Sequence, residues 1–307
     1  MSVQASETIL PPDPGLPRPI YRRWVIGVQL FKFLGFVGAI ASLAWGWGTP
    51  LNWTLLGVGY ALTMLGITAG FHRLFSHRSF QARAPLRYTL ALLGTIGWQG
   101  SVLEWVAVHR QHHRFSDQPG DPHSPHTHAG PGRLGKLKGL WHAHNGWILD
   151  HYPSHLEEYV PDLCRDRGLV FLHRTPLVWP LLGIILPTAI GGVFGHGWQG
   201  ALGGLLWGAC ARMFLVEQGA CTVNSLGHYF GDRPHASRDR STNFGLLALL
   251  TLGDGWHNNH HAFPASARHG MRFWQVDPTF WLIRLWALVG LASNLVLPQA
   301  QAARENA

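Results

Sequence analysis

Apolar residues gather in two pairs of long stretches that are separated by polar segments. The first pair covers roughly residues 24–47 and 51–71, and the second covers roughly 177–194 and 201–223. A helix needs about 20 apolar residues to cross a bilayer, so these stretches have suitable lengths. The pattern predicts an all-α membrane protein with four transmembrane helices arranged as two hairpins.

Charged residues interrupt two of these stretches. Lys32 lies within the first stretch, and Arg212 and Glu217 lie within the fourth. A charged side chain inside a bilayer is costly unless it faces other protein or extends along its own aliphatic stem to the interface. We therefore expect Lys32 to face another helix or to reach toward the membrane surface.

Two further apolar segments are less regular. Residues 86–108 are apolar but interrupted by glycines and by Glu104, which favours a membrane-embedded hairpin or an interfacial segment over a simple span. Residues 280–297 are apolar with Arg284 inside, a pattern more typical of an interfacial helix.

The distribution of positive charge predicts the orientation. Charged residues make up only 13% of the chain, against about 25% in a typical soluble domain, and the formal net charge is +8. The turns within the two helix pairs, 48–50 and 195–200, contain no Lys or Arg. Because cytosolic loops carry the excess of Lys and Arg, both termini and both long polar loops are predicted to be cytosolic. No basic run or recognition motif points to nucleic acid as a partner.

The chain is thereby divided into a flexible tail, a single membrane domain and a second short tail. The tails cover residues 1–19 and 301–307, and the domain covers 20–300. Its cytosolic helical cap is predicted to comprise 72–176 and 224–300. The three cysteines form no Cys-x-x-Cys pair, which argues against an iron–sulfur cluster or a disulfide framework.

Three histidine clusters lie just beyond the ends of apolar segments. They are His72 with His77, His109-Arg110-Gln111-His112-His113, and His257-Asn258-Asn259-His260-His261. Residues three and four apart share a helix face, whereas neighbours point about 100° apart. The pattern His-x-x-His-His therefore suits two metals better than one, and His228, at the end of the fourth stretch, completes a set of nine imidazoles.

His72 and His77 fit this picture less simply. Five residues apart on an ideal α-helix, their side chains would point about 140° apart. The helix must therefore end or loosen between them if both bind one metal.

The identity of the metal is open on these grounds. Histidine-rich sites suit zinc, copper, iron or nickel, but nine ligands exceed the four of one structural zinc. The Glu-x-x-His pattern of carboxylate di-iron bundles does not occur in the sequence. His123, His126 and His128 could form an additional metal site, although an exposed Pro-rich loop is the simpler interpretation.

Several segments also match the pattern of a known family. The matching stretches are Phe71-His72-Arg73-Leu74-Phe75-Ser76-His77, the second cluster continued by Arg114-Phe115-Ser116-Asp117, Gly120-Asp121-Pro122-His123-Ser124-Pro125, Asn224-Ser225-Leu226-Gly227-His228-Tyr229-Phe230-Gly231, and Gly253-Asp254-Gly255-Trp256 followed by the third cluster. In order and spacing, over about residues 24–290, the chain resembles the integral-membrane fatty-acid desaturases. It is most similar to the bacterial, cyanobacterial and plant members of their stearoyl-type, delta-9 branch.

The resemblance implies a mushroom-like fold and two iron ions, both Fe2+. One iron would be held by His72, His77, His109, His113 and His261. The other would be held by His112, His228, His257 and His260, with Asn224 holding a water beside it. Gln99 and Trp105 match positions at the bend of an apolar substrate tunnel, and no catalytic residue beyond the metal ligands is implied.

The resemblance also implies the reaction. The family inserts a cis double bond into a saturated acyl chain on CoA or a glycerolipid, using dioxygen and two electrons. A separate donor, a ferredoxin or a cytochrome b-type carrier, would supply the electrons. Ala107-Val108 replaces an Arg-Asp pair that contacts CoA in animal members, which favours a lipid carrier. Arg110 and Arg114 could contact an anionic headgroup or simply face solvent.

The sequence leaves two alternative functions open. The chain could be a fatty-acyl hydroxylase or acetylenase of the same superfamily. It could also be a membrane protein that binds metal or haem without catalysis, although a transporter would place polar groups near mid-membrane.

Overall fold

The described chain is mostly helical, as the apolar pattern predicts. The computed structural model describes residues 18–150 and 155–298. The first helix begins at Arg18, so it includes the last two residues of the predicted N-terminal tail. Residues 1–17 and the predicted C-terminal tail lie outside the described residues.

The four predicted spans are all helical. They correspond to α1 (Arg18–Ser42, followed by one 3₁₀ turn, Leu43–Trp45), α2 (Pro50–Leu65, continued as a π-helix, Gly66–Ser76), α9 (Val178–Phe194), and a continuous segment made of α10 (Trp198–Gly203), a π-helix (Gly204–Ala211) and α11 (Arg212–Ser225). The remaining helices are α3 (Ala84–Thr95), α4 (Val102–Phe115), α5 (Gly132–Trp141), α6 (Trp147–Asp150), α7 (Leu156–Tyr159), α8 (Arg167–Arg174), α12 (Gly245–Leu250), α13 (His257–Ala262) and α14 (Pro278–Leu288).

Two helical segments are long and apolar enough to cross a membrane by themselves. They are Pro19–Trp45 and Pro50–Ser76. A third span results if α8 and α9, which meet at an angle of 74°, are counted together. These apolar helices make the chain a membrane protein.

The turn between α1 and α2 has clear sequence determinants. Gly46 ends the 3₁₀ turn with a φ of 74°, in the left-handed region that glycine enters without penalty. The Thr49 hydroxyl then accepts a hydrogen bond from Asn52 N, and Pro50 occupies the first turn of α2. Both are preferred at helix N-termini, so the second helix starts where the sequence predicts.

Residues 86–108 form two helices instead of one span. α3 ends at Thr95, and α4 begins after Ser101, whose hydroxyl accepts from Glu104 N while the Glu104 carboxylate accepts from Ser101 N. This capping box explains the glutamate that interrupts the apolar pattern. A Cβ at Gly66 would lie 2.2 Å from Gly94 N, so α3 packs directly against the π-helical end of α2.

The predicted interfacial helix at 280–297 is shorter than expected. α14 ends at Leu288, and the following segment forms a short strand, β2 (Ala292–Ser293). This strand pairs antiparallel with β1 (Gln81–Ala82). The pairing ties the end of the described chain to the segment that follows the first histidine pair.

The charged residues inside the apolar stretches bind one another or uncharged oxygen atoms of the protein. Lys32 is buried and forms an ion pair with Glu217, which also accepts a hydrogen bond from Gln29. The Arg212 guanidinium donates to Gly208 O, Thr63 Oγ1 and Gly183 O. The expectation that Lys32 faces another helix is therefore confirmed, and the ion pair fixes the register between α1 and α11.

Removing one charge of this ion pair should destabilise the protein more than removing both. Replacing only Glu217 with Gln leaves the Lys32 ammonium buried without its counter-ion, which typically costs about 3–5 kcal/mol. We expect E217Q to lower the melting temperature of the purified protein clearly. The double variant K32M/E217L, which removes both charges, should recover most of that loss. A double variant that melts no higher than E217Q would show that the ion pair does not hold these helices together.

Candidate metal centre

The π-helical end of α2 resolves the spacing of His72 and His77. Residues Gly66–Ser76 form a π-helix, and at its end His77 N donates to His72 O, five residues earlier, over 3.1 Å. Hydrogen bonds over five residues define a π-helix, which is wider than an α-helix. The two imidazole rings consequently lie with centroids 5.0 Å apart. The helix loosens as predicted, but it does so from Gly66 onward.

All nine predicted histidines converge in two neighbouring groups. The ligand nitrogens within each group lie within 4.8 Å of one another. The first group is His72, His77, His109, His113 and His260, and the second is His112, His228, His257 and His261. The clusters thus form one composite site from distant parts of the chain.

The assignment of the last two histidines differs from the sequence-based expectation. His260 belongs to the first group and His261 to the second, the reverse of what the resemblance implied. In both His-x-x-His-His clusters, the two residues four apart share a group. His257 and His261 lie 4.3 Å apart by ring centroid, against 5.8 Å for His257 and His260. Four residues on a helix are offset by about 40° and three by about 60°, so the four-residue pair is the better aligned.

The imidazole nitrogens are spaced as ligands of a common ion. The Nε2 atoms of His77 and His109 lie 2.8 Å apart, and those of His228 and His257 lie 2.9 Å apart. Two nitrogens bound at about 2.1 Å and at right angles lie about 3 Å apart, whereas a tetrahedral angle separates them by about 3.4 Å. The observed spacings are compatible with nitrogens that bind one ion.

Buried nitrogen atoms without a protein partner support the same conclusion. Within the described residues, His112 Nε2 and His261 Nε2 are buried and have no hydrogen-bond partner. Leaving a buried polar group unpaired is costly, and a metal ion would supply the missing partner. Both of these atoms belong to the second group. In the first group the Nε2 atom of His260 faces those of His72 and His113, each at 3.0 Å, so the residues of each group fit a metal ion.

Four carboxylates bind the opposite nitrogen of four of these histidines. The Nδ1 atoms lie near Asp254 for His72 (2.8 Å), Asp121 for His112 (3.0 Å), Asp117 for His228 (2.9 Å) and Asp239 for His261 (2.6 Å). A carboxylate that accepts from Nδ1–H fixes the tautomer and directs the Nε2 lone pair at the metal. Each group contains at least one such pair, so a carboxylate orients at least one imidazole ring at each candidate metal position.

The carboxylates are themselves held in place. Asp254 accepts from Arg73 at 3.1 Å and lies 3.2 Å from His269 Nδ1. Burial alone would raise the pKa of Asp254, but His72, His269 and Arg73 hold its pKa well below the usual value. The carboxylate is therefore ionised, the form that accepts a hydrogen bond from a metal-bound imidazole.

Burial also favours the neutral form of several of the imidazoles, whereas at His112 the effect of burial is outweighed by Asp121, which raises the pKa above its usual value. Burial lowers the pKa of His77, His109 and His113 well below the usual value, and neighbouring imidazoles lower it further. Burial lowers the pKa of His261 to about 4, despite the opposing effect of Asp239. Neutral imidazole is the form that binds a metal, so the site is prepared for one near neutral pH.

Sequence reasoning missed His269 and the roles of the four carboxylates. His269 lies with His72 and Asp254, and His123 lies with His112 and Asp121. The only available sequence signal was the pair Asp117 and Asp121, five and nine residues after His112. His126 instead bonds to His228 O, and His128 stacks on His142, so the three loop histidines do not converge.

An apolar cavity adjoins both groups. It is lined by Met64, Ile67, Thr68, Trp105, Ala220, Val223, Asn224 and Thr251, and by His72, His109, His112, Asp254 and His257. Trp105 also stacks on His109, with ring centroids 5.0 Å apart. Gln99 is not among the lining residues, but its Nε2 is buried without a partner in the described chain.

The two arginines of the second cluster differ in how far their N–H donors are used within the protein. All five N–H donors of Arg110 are used within the protein, by Ser76 O, Tyr159 O, Phe75 O and both oxygens of Asp162. No N–H donor of Arg110 is therefore left for a headgroup contact. Arg114 pairs with Glu158, and both side chains are more than half exposed.

Fold and site together define a helical membrane protein with a histidine-rich candidate metal centre beside an apolar cavity. The family model for fatty acid desaturases matches residues 49–288. A hex-5-enoyl-[acyl-carrier protein] acetylenase from Moorena producens is 43% identical over 92% of this chain and 91% of its own length. An sn-1 stearoyl-lipid 9-desaturase from Anabaena variabilis is 39% identical over 88% and 93%, and one from Synechocystis is 39% identical over 80% and 73%.

The chain belongs to the fatty acid desaturase family. It is accordingly an oxygen-dependent oxidoreductase, and the resemblance inferred from the histidine segments is confirmed.

Substitutions of His260 and His261, which are adjacent on α13, should each affect a different metal position. We expect H260A to weaken metal binding in the first group and H261A in the second, so each variant should retain about half of the bound metal. H128A, outside both groups, is the matched control and should bind as the wild type does. Metal analysis of the purified proteins makes the comparison, and full retention in both α13 variants would contradict the grouping.

We expect the carboxylate of Asp239 to be required for tight metal binding. In D239N the Oδ1 atom can still accept from Ser241 N, as it does now at 2.9 Å, but an NH₂ group would face His261 Nδ1. The imidazole would then carry its proton on Nε2, which points toward the metal position. We expect metal affinity to fall by about 10–100-fold, measured by competition with a chelator. An unchanged affinity would rule out this orienting role.

Proposed function

We propose that this chain is a fatty-acyl desaturase that inserts a cis double bond near the ninth carbon of a saturated acyl chain. The observation that carries the proposal is an apolar cavity lined by histidines of both groups and extending to Met64 and Ile67 on α2. An alkyl chain in such a cavity would present a methylene pair to the metal centre. The two sn-1 stearoyl-lipid 9-desaturases, each 39% identical, support the bond position.

We assign one iron ion to each histidine group. When bound, the iron pair would supply the oxidising power to remove hydrogen from an unactivated carbon. Two hydrogens leave the substrate, two electrons and two protons come from outside, and one dioxygen is reduced to two waters. Asn224, which lines the cavity beside His112 and His257, is proposed to hold a water next to the second ion.

The protein's own contribution is positioning and exclusion of water. Trp105 stacks on His109 and also lines the cavity, so it would fix the distance between the acyl chain and the first group. Holding the reacting carbons in one orientation beside the metal centre lowers the entropic part of the activation barrier. Gln99, with its buried amide, is proposed to lie near the bend of the bound chain.

The membrane arrangement follows the same proposal. α9 and the segment from Trp198 to Ser225 would form the second hairpin, beside the two clear spans. The turns within both hairpins lack Lys and Arg, which supports a cytosolic location for the cap, the metal centre and both termini. The cap then receives electrons from a separate ferredoxin or cytochrome b-type carrier.

The acyl carrier is proposed to be a glycerolipid or CoA. Relatives are described as acting on stearoyl-lipid, on acyl-CoA and on an acyl chain held by acyl-carrier protein. Ala107 and Val108 are apolar and buried, so that position offers no charge to a CoA phosphate. This favours a lipid carrier, with Arg114 as the remaining candidate for a headgroup contact.

A second candidate, an acetylenase, is favoured by one observation. The relative at 43% identity is described as an acetylenase of hex-5-enoyl-[acyl-carrier protein]. Acetylenation removes two more hydrogens from an existing double bond, so the same centre could serve it. The difference would lie in the acyl chain that the cavity accepts.

Expression in a host that lacks its own desaturase tests both candidates. We expect new monounsaturated acyl chains in the membrane lipids, with the double bond near carbon nine by mass spectrometry. H112A and H260A, one from each histidine group, should yield none, whereas H128A should be active. An alkyne product would favour the acetylenase, and full activity in H112A and H260A would contradict the metal assignment.

A further inference from the structure

The surface of α5 combines three exposed apolar side chains with three exposed cations. Leu134, Leu137 and Trp141 are 81%, 54% and 60% exposed. Their spacing of three and four residues places them on one helix face. Arg133, Lys136 and Lys138 are exposed beside them, and no Asp or Glu occurs between residues 122 and 149.

The opposite face of α5 packs against the protein. A Cβ at Gly135 would lie 2.0 Å from Gly130 O, and one at Gly139 would lie 2.0 Å from Pro125 O. The glycines allow this close contact and fix the rotation of the helix. The Leu134, Leu137 and Trp141 face therefore points outward and is not covered by the described chain.

Neighbouring contacts place α5 at the level of the membrane surface. Just after α5, His144 bonds to Gln218 and Ser225 in the last two turns of α11. Ser225 is the last residue of α11, so the segment that follows α5 lies beside the end of this apolar helix.

We propose that α5 is an interfacial helix that docks the cap onto the anionic lipid leaflet next to the spans. An amphipathic helix with Leu and Trp on one face and Lys and Arg beside it binds at the headgroup boundary, where cations attract anionic lipid. The stripe from Leu134 to Trp141 covers about 10 Å along the membrane surface. This docking would hold the cap against the leaflet from which an acyl lipid must enter the cavity.

A spin label at position 137 tests this inference without measuring turnover, so its outcome is independent of the proposed function. The three native cysteines are buried, which allows Leu137→Cys to be labelled selectively in the full chain. Arg238→Cys, in an exposed polar segment of the cap, is the matched control. In vesicles containing phosphatidylcholine and phosphatidylglycerol, the label at 137 should be accessible to oxygen and protected from a water-soluble nickel complex, unlike the label at 238.

Charge reversal tests the electrostatic part. In the Leu137→Cys background, Lys136→Glu should shift the equilibrium between docked and undocked helix by about fivefold or more in anionic vesicles. Arg238→Glu should leave it unchanged. Equal nickel access at positions 137 and 238 would overturn the proposal. Protection that appears only when an acidic soluble carrier protein is added would also overturn it, in favour of a protein partner.

Discussion

Four hydrogen bonds between aspartates and histidines are the constraint on which the site depends. Nine imidazoles packed together have no preferred orientation of their own, because in a neutral imidazole either ring nitrogen can carry the proton. Asp254, Asp121, Asp117 and Asp239 each occupy the Nδ1 side of one ring, which leaves Nε2 for the interior. Both ion positions are therefore defined by residues that lie outside the ligand set.

These aspartates also connect the site to the fold. Asp254 reaches Arg73 at the end of α2, and Asp117 accepts from the backbone N–H of Arg240, far along the chain. The π-helical end of α2 adds the second requirement, since it brings His72 and His77 together. Local backbone geometry and long-range hydrogen bonds thus both contribute to assembling ligands from four regions of the chain.

Much of the site could be predicted from the sequence, because its ligands are concentrated in short clusters with helical spacing. The nine histidines, the separation of neighbours such as His112 and His113 between two groups, and the loosened helix between His72 and His77 all followed from residue spacing. The choice between His260 and His261 did not, because both share a helix face with His257 and their angular offsets from it differ by only about 20°. Most of the aspartates were equally inaccessible, since a carboxylate that pairs with a histidine far along the chain has no local pattern. Only Asp121, nine residues after its partner His112, lay close enough to leave a signal. The interruption at Glu104 was visible in the sequence, but only the capping box explains it as the start of a helix.

The most direct test of the central claim is the iron stoichiometry and X-ray absorption spectrum of the protein reconstituted with Fe2+ without oxygen. Two irons per chain with an imidazole-dominated shell are predicted, together with loss of about one iron in H260A. A single iron, or a shell dominated by carboxylate oxygen, would contradict a centre built from two histidine groups with the aspartates behind them.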